Sequence, residues 1–231
     1  MSELERLLEQ IGEKYEVEAV PLKIGDKMLK VLQFKDFEAY IEKFVESGNV
    51  EAMDLPFWAK VWDASLLLSY FLGRQPVAVG RRVLEIGAGI GIVGVYASLC
   101  GHRVTITDIN EDALLFSRAN VLLNEASNAR VCRLDWNEPD PEGRYDWIVG
   151  SEVVYDRKSY PLLVRFLRES LAPDGIIFLA KNADLHTPAF FTELTKYFEF
   201  KQTVQTVQTG EDPQQICLYA IRHKNGATAA A

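Results

Sequence analysis

From about Arg81 onward, short apolar runs alternate with amphipathic stretches, a pattern that predicts βαβ units building a mainly parallel sheet. The strands it implies are residues 82–86, 103–107, 129–134, 145–150 and 175–180. Helix-period segments at 90–99, 111–124 and 158–171 lie between them and are long enough to be the crossovers that parallel pairing requires. After residue 180 a helical stretch, 188–197, leads to two alternating runs, 199–204 and 214–221. Gly210-Glu211-Asp212-Pro213 separates these runs, so they read as a hairpin. Upstream, 3–14 has a helical pattern, 17–22 and 28–33 are set to pair across Gly25-Asp26, and 37–45 is a short amphipathic helix. The stretch 59–72 carries Val61, Ser65, Leu68 and Leu72 on one helical face. This organises the chain as an N-terminal extension, 1–54, packed on a main domain, 55–224, with a disordered tail at 225–231.

Composition narrows the function classes. The chain of 231 residues is ample for a buried core, has no apolar run near 18 residues and begins without a secretory pattern, which points to a soluble cytoplasmic protein. A formal net charge of -8, with no basic patch, argues against nucleic-acid binding and favours basic partners. The acidity is uneven, since residues 1–60 hold 13 Asp and Glu against 8 Lys and Arg. Such an excess is ordinarily a solvated face, but it can also steer a Lys-rich substrate. Three scattered cysteines read as reduced buried thiols, and three histidines at no ligand spacing give no metal site.

The strongest local signal is Val83-Leu84-Glu85-Ile86-Gly87-Ala88-Gly89-Ile90-Gly91-Ile92-Val93-Gly94, a strand, a glycine turn and the start of a helix. Residues 89–94 satisfy the G-x-G-x-x-G template, and Asp108 ends the next strand where a ribose-binding acid belongs, in either a nicotinamide or an adenosyl-cofactor site. Two features separate these readings. Gly87 and Ala88 intervene between the strand and the template, and Glu85 stands two residues before Gly87. A carboxylate there is awkward beside a diphosphate but suits S-adenosylmethionine, which carries an ammonium and a sulfonium and no phosphate.

Glu85, Gly87, Gly89 and Gly91 resemble the E/D-x-G-x-G-x-G motif of the class I, seven-strand S-adenosylmethionine-dependent methyltransferases, over roughly residues 55–222. The resemblance implies a Rossmann-like doubly wound sheet of order 3-2-1-4-5-7-6 with its last strand antiparallel. It also implies that the backbone of Gly87, Ala88 and Gly89 lies beside the methionine part of the cofactor and that Asp108 accepts from the ribose. Asp135 and Trp136 fall where the family meets adenine, although a turn acid and a half-buried core Trp would look the same. Leu171-Ala172-Pro173-Asp174-Gly175 departs from the family's L-x-P-G-G but still suits a tight turn.

A narrower resemblance, to the protein-lysine methyltransferases of methyltransferase family 16, rests on three places. Val61-Trp62-Asp63-Ala64 is similar to the V-W-D-A helix, Glu152 and Tyr155 match D/E-x-x-Y/F, and 54–58 is similar to a D-P-Y/F-W element. It implies that Trp62 and Ser151 contact the cofactor, that Glu152 and Tyr155 are catalytic and that Trp58 is a substrate-channel wall. Methyl transfer is an in-line displacement needing positioning rather than a protein nucleophile. A lysine acceptor, with an unperturbed pKa of about 10.4, must first lose a proton. Glu152 is placed to orient that ammonium, and Tyr155 with Trp58 or Trp62 would offer faces that favour a cation. Against these roles, Glu152 as a cap, Tyr155 as helix packing and Trp62 as amphipathic-helix packing are the structural alternatives.

The resulting expectation is a methyltransferase that uses S-adenosylmethionine, releases S-adenosylhomocysteine, needs no metal and modifies a lysine of a protein partner. The alternatives are a small molecule or another protein nitrogen as acceptor, an NAD(P)-dependent oxidoreductase, and a non-catalytic Rossmann-like binding module.

Overall fold

Val83 and Leu84 are both fully buried yet join different cores, as do Ile148 with Val149 and Ile177 with Phe178. Successive side chains of a strand point to opposite faces, so strands that are apolar at every position belong in a sheet covered on both sides. The computed structural model, which describes residues 1–46, 48, 55–138, 143–208 and 212–224, shows that arrangement.

Seven strands form the sheet: β3 (Arg82–Glu85), β4 (Arg103–Asp108), β5 (Ala129–Arg133), β6 (Tyr145–Ser151), β7 (Leu171–Asn182), β8 (Phe198–Val207) and β9 (Gln214–His223). Their order is β5-β4-β3-β6-β7-β9-β8, with β9 antiparallel to both neighbours and the other pairings parallel. Counted from β3 this is the expected 3-2-1-4-5-7-6. Helices α3 (Asp63–Gly73), α4 (Ile92–Leu99) and α5 (Glu111–Leu123) cover one face. Helices α6 (Tyr160–Ser170) and α7 (Pro188–Leu194) cover the other.

The N-terminal residues form α1 (Glu3–Gly12), the hairpin β1 (Val17–Ile24) and β2 (Lys27–Phe34), and α2 (Phe37–Glu46). Ser2 and Glu5 close a reciprocal capping box at the start of α1. A two-stranded sheet leaves an edge of unpaired backbone groups, and α5 meets that edge of β2 with two asparagines. Asn124 accepts from Lys30 N at 2.8 Å and donates to its carbonyl at 2.7 Å, while Asn120 accepts from Leu32 N at 2.7 Å. Four residues of helix advance about 6 Å and two of strand about 6.6 Å, so the i, i+4 amides meet alternate strand residues. Tyr15 Oη and Lys14 Nζ both donate to Asp112 on the same helix, at 2.8 and 2.6 Å.

Several element boundaries differ from expectation. The helix expected over 59–72 begins at Asp63, preceded by a single 3-10 turn, Phe57–Ala59, and by an extended Trp62. The helix expected from residue 90 begins at Ile92, because Gly91 takes a φ of +79° and serves as its N-cap. The one expected over 158–171 is a 3-10 turn, Arg157–Ser159, followed by α6. The helix expected over 188–197 ends at Leu194. Pro173-Asp174-Gly175, expected as a turn, lies inside β7, where Leu171 pairs Tyr145 and the register then jumps so that Ile176 pairs Trp147. Cys217 is buried as expected, but Cys100 and Cys132 are only partly so; all three are free thiols. Asp54, Gly210, Glu211 and the tail 225–231 lie outside the described residues.

Candidate active site

In a doubly wound sheet, ligands bind at the carboxyl ends of the strands where the strand order reverses. Here that place is the end of β3, flanked by β4 and β6. A cleft of about 1280 Å³ opens there, and its walls include every residue expected to form the site: Trp58, Trp62, Glu85, Gly87, Ala88, Gly89, Asp108, Asp135, Trp136, Ser151, Glu152 and Tyr155.

The floor is the glycine loop. Gly87, Gly89 and Gly91 have φ of +54°, +55° and +79°, a region that side chains disfavour. At Gly89 a Cβ would lie 2.4 Å from the carbonyl oxygen of Trp58, so here the protein's own backbone occupies the space that the sequence suggested for a ligand. That contact also explains the short 3-10 turn before α3. Trp58 must bring its carbonyl onto the loop before the chain can turn into a helix. The loop is held from outside as well, Ser117 Oγ donating to Gly89 O at 2.8 Å and Asn120 Nδ2 to Ile90 O at 2.9 Å.

Glu85 is 2% exposed, and its Oε2 accepts from Gly94 N, in the first turn of α4, at 2.8 Å. It thus caps a helix whose N-cap residue is a glycine with no side chain to do so. The close packing also accounts for Gly94, where a Cβ would sit 2.4 Å from that oxygen. Burial pushes the Glu85 carboxyl up to about 8; the Gly94 and Val93 amides oppose this, and the neighbouring Asp108 adds to it.

Asp108, at the end of β4, accepts from Gly89 N at 2.8 Å through Oδ2 and from Asn110 N at 2.9 Å through Oδ1. Burial raises its pKa and these amides lower it. Asp135 makes an Asx turn, its Oδ1 accepting from Asn137 N at 2.9 Å, which holds the carboxyl below the usual range. Trp136 packs against the core beneath α6 and α7. Both structural alternatives for this pair are therefore realised, in residues that also face the cleft.

On the opposite wall, Glu152 follows β6 with a φ of +53°, a left-handed conformation that costs a non-glycine residue roughly 1–2 kcal/mol. It is held there by Glu152 N donating to Ala180 O at 2.9 Å and by its Oε1 accepting from Asn182 N at 2.7 Å. Its carboxyl therefore links the ends of β6 and β7 rather than capping the segment that follows. Burial raises its pKa, the Asn182 amide and the Lys181 charge lower it, and Asp63 raises it. Ser151 is half-buried beside it, and Tyr155 is 57% exposed at the mouth. Trp62 donates from Nε1 to Phe57 O at 3.1 Å and carries Lys60 Nζ 4.8 Å over its ring. The Trp58 indole, expected to wall a substrate channel, packs edge-on against Tyr15, Phe34 and Phe116 at 6.0, 5.8 and 5.4 Å, so it also anchors the cleft to the N-terminal hairpin.

Asp63, Asn182 and Gln214 are among the cleft residues not anticipated from the sequence. Asp63 belongs to the V-W-D-A element, so its signal was available; Asn182 and Gln214 end β7 and begin β9 with no local motif. With Asp63 included, the charged cleft residues among those described are six acids, Asp63, Glu85, Asp108, Asp135, Glu152 and Asp212, against one cation, Lys60. Such a lining favours cationic groups and opposes phosphates. A volume beyond the ~300–1,000 Å³ usual for one ligand leaves room for a second reactant.

A Rossmann-like sheet with an acid-lined cleft at its switch point defines a methyltransferase-type site rather than a dinucleotide site. The family model described as lysine methyltransferase matches residues 52–197. The chain is 37% identical over 179 residues to EEF1A lysine methyltransferase 3 of Mus musculus, covering 74% of this chain and 75% of that one. It is also 37% identical over 153 residues to the protein N-lysine methyltransferase METTL21A of Danio rerio, covering 62% and 70%. Among solved structures, the glycopeptide N-methyltransferase MtfA complexed with S-adenosyl-L-methionine has a TM-score of 0.57 at 17% identity, over 69% of this chain and 94% of that one. The ribosomal protein L11 methylase of Lactobacillus delbrueckii has a TM-score of 0.56 at 21% identity, over 72% and 81%. These two show the fold.

The chain belongs to the lysine methyltransferase family. It is an S-adenosylmethionine-dependent methyltransferase, and its reaction is the N-methylation of a lysine side chain in a protein. The oxidoreductase and the non-catalytic module are thereby set aside. Among the described residues, no helix is long and apolar enough to cross a membrane.

Proposed function

We propose that the acid-lined cleft holds S-adenosylmethionine along the glycine loop and receives the acceptor lysine from the side of Glu152 and Tyr155. The observation that carries this reading is the lining of six acidic side chains to one ammonium among the described residues. When bound, the cofactor supplies a methyl group on a sulfonium. The chain's own residues supply position and charge. Glu85, Asp63 and Asp108 line the cleft, Asp108 being assigned to the ribose, Asp135 and Trp136 to adenine, and Ser151 and Trp62 to cofactor contact. Asp108 and Asp135 keep acceptor capacity, since each carboxylate oxygen offers two lone pairs and those described above are shared with single amides or one asparagine.

Glu152 is assigned to the acceptor. Its carboxylate meets an incoming lysine ammonium as an ion pair in a half-dry site, where burial raises its pKa and the Asn182 amide and the Lys181 charge oppose that rise. Tyr155, the most exposed aromatic of the cleft, and Phe57, 43% exposed, give the mouth apolar faces over which an alkylammonium can pass. The substrate is a protein, and EEF1A, named for two relatives in Mus musculus and Xenopus tropicalis, is the first to test. The acidic N-terminal segment is the proposed docking face for a basic partner.

Calorimetry tests the cofactor half of this reading. S-adenosylmethionine and S-adenosylhomocysteine are expected to bind and NAD and NADP not to; binding of either dinucleotide with comparable affinity would refute the electrostatic argument.

A further inference from the structure

Lys181, the penultimate residue of β7, is 4% exposed, although burying an ammonium is unfavourable unless it is paired. Its Nζ donates to the carbonyl of Asn182 at 2.7 Å. The amide of the same Asn182 donates to Glu152 Oε1, also at 2.7 Å, so the backbone of one residue separates a buried cation from the acid assigned to the acceptor. That backbone is fixed on its far side. Ala183 N donates to Gln215 O at 2.8 Å, and Asn182 Nδ2 donates to Gln214 Oε1 at 3.0 Å, which ties the end of β7 to β9.

The titratable groups that face the pair come from three directions. Asp63, at the start of α3, faces Glu152; Asp184 and the Cys217 thiol of β9 face Lys181. Burial pulls the ammonium down, and Cys217, Glu152 and Asp184 hold it up. Burial and the neighbouring Asp63 favour a protonated Glu152, and a protonated carboxyl can neither pair with an incoming ammonium nor take its proton. Lys181 is the cation that acts against this.

We propose that Lys181 is a positioning residue for methyl transfer, its buried ammonium, anchored on the backbone of Asn182, holding the Glu152 carboxylate ionised and aimed at the acceptor lysine. The proposal rests on the assignment of Glu152 made above. Lys181 itself does not touch the reacting atoms.

The experiment is the titration of the Glu152 carboxyl by NMR in 13C-glutamate-labelled protein, the signal identified by its loss in Glu152→Gln. It is run on the wild type, Lys181→Met, Lys181→Gln and Lys181→Arg. Lys181→Gln keeps an N–H for the Asn182 carbonyl and removes only the charge. The midpoint is expected to rise by about one pH unit or more in both neutral variants and to return in Lys181→Arg. An unchanged midpoint in a folded neutral variant overturns the proposal. So does failure of both neutral variants to fold while Lys181→Arg folds, since the lysine would then be structural. Transfer of labelled methyl groups to the proteins of a cell extract separates the two assignments. Full transfer by Glu152→Gln would show that the acceptor role of Glu152 has failed, whatever Lys181 does to its titration.

Discussion

Glu85 lines the candidate site and also holds the fold. The sequence placed a carboxylate beside a cationic cofactor, and the structure shows the same group capping α4 while fully buried. Its raised value makes a signed expectation. Between the ordinary glutamate value of 4.5 and about 8 the folded chain binds a proton that the unfolded chain has released, so stability falls as pH rises across that window. The slope from this residue is at most about 1.4 kcal/mol per pH unit. Thermal unfolding of the cofactor-free protein at pH 5.5 and 7.5 should show a loss that Glu85→Gln reduces; equal losses in both proteins would remove the assignment. Gly89 gives a second expectation. An alanine there takes a left-handed φ and meets the Trp58 carbonyl, so Gly89→Ala should displace the loop and weaken S-adenosylhomocysteine binding at least about tenfold in calorimetry. Unchanged affinity would mean the loop does not set the site. The motif residues were legible because they are contiguous. Lys181 and Asn182 were not, since what distinguishes them is a neighbour some thirty residues away in the chain, brought close only by strand pairing.

At the scale of elements, period and turn chemistry located the strands and helices because the sheet is covered on both faces and its central strands carry buried apolar residues toward each. The boundaries that shifted did so for tertiary reasons. The start of α3 is set by Trp58 on Gly89, and the length of β7 by a bulge opposite Tyr145. The pairing of β2 with Asn120 of α5 and with Asn124, the C-cap of that helix, had no sequence signature. Asn120 also holds Ile90 O, so it joins the N-terminal hairpin to the glycine loop proposed to hold the cofactor. Asn120→Ala leaves the buried Leu32 amide and the Ile90 carbonyl unpaired and should lower unfolding stability by about 2–3 kcal/mol in urea titration. A change under about 0.5 kcal/mol would show that water replaces the amide without penalty.

Over the whole molecule, the net charge of -8 acquires a location. Part of it lies in the first 60 residues, and part lines the cleft of about 1280 Å³, whose described walls carry six acids. A fold that concentrates like charges in a half-dry cleft does so at the expense of stability unless a cation enters. S-adenosylmethionine and a lysine ammonium are two such cations, and the small number of histidines and cysteines accords with a displacement that uses neither as nucleophile. The most direct measurement is transfer of labelled methyl groups from S-adenosylmethionine to purified EEF1A and to the proteins of a cell extract, followed by complete hydrolysis and amino-acid analysis. The label is expected in methylated lysine. Label confined to another amino acid, or to metabolites and not to protein, would contradict the assignment of the cleft to a protein lysine.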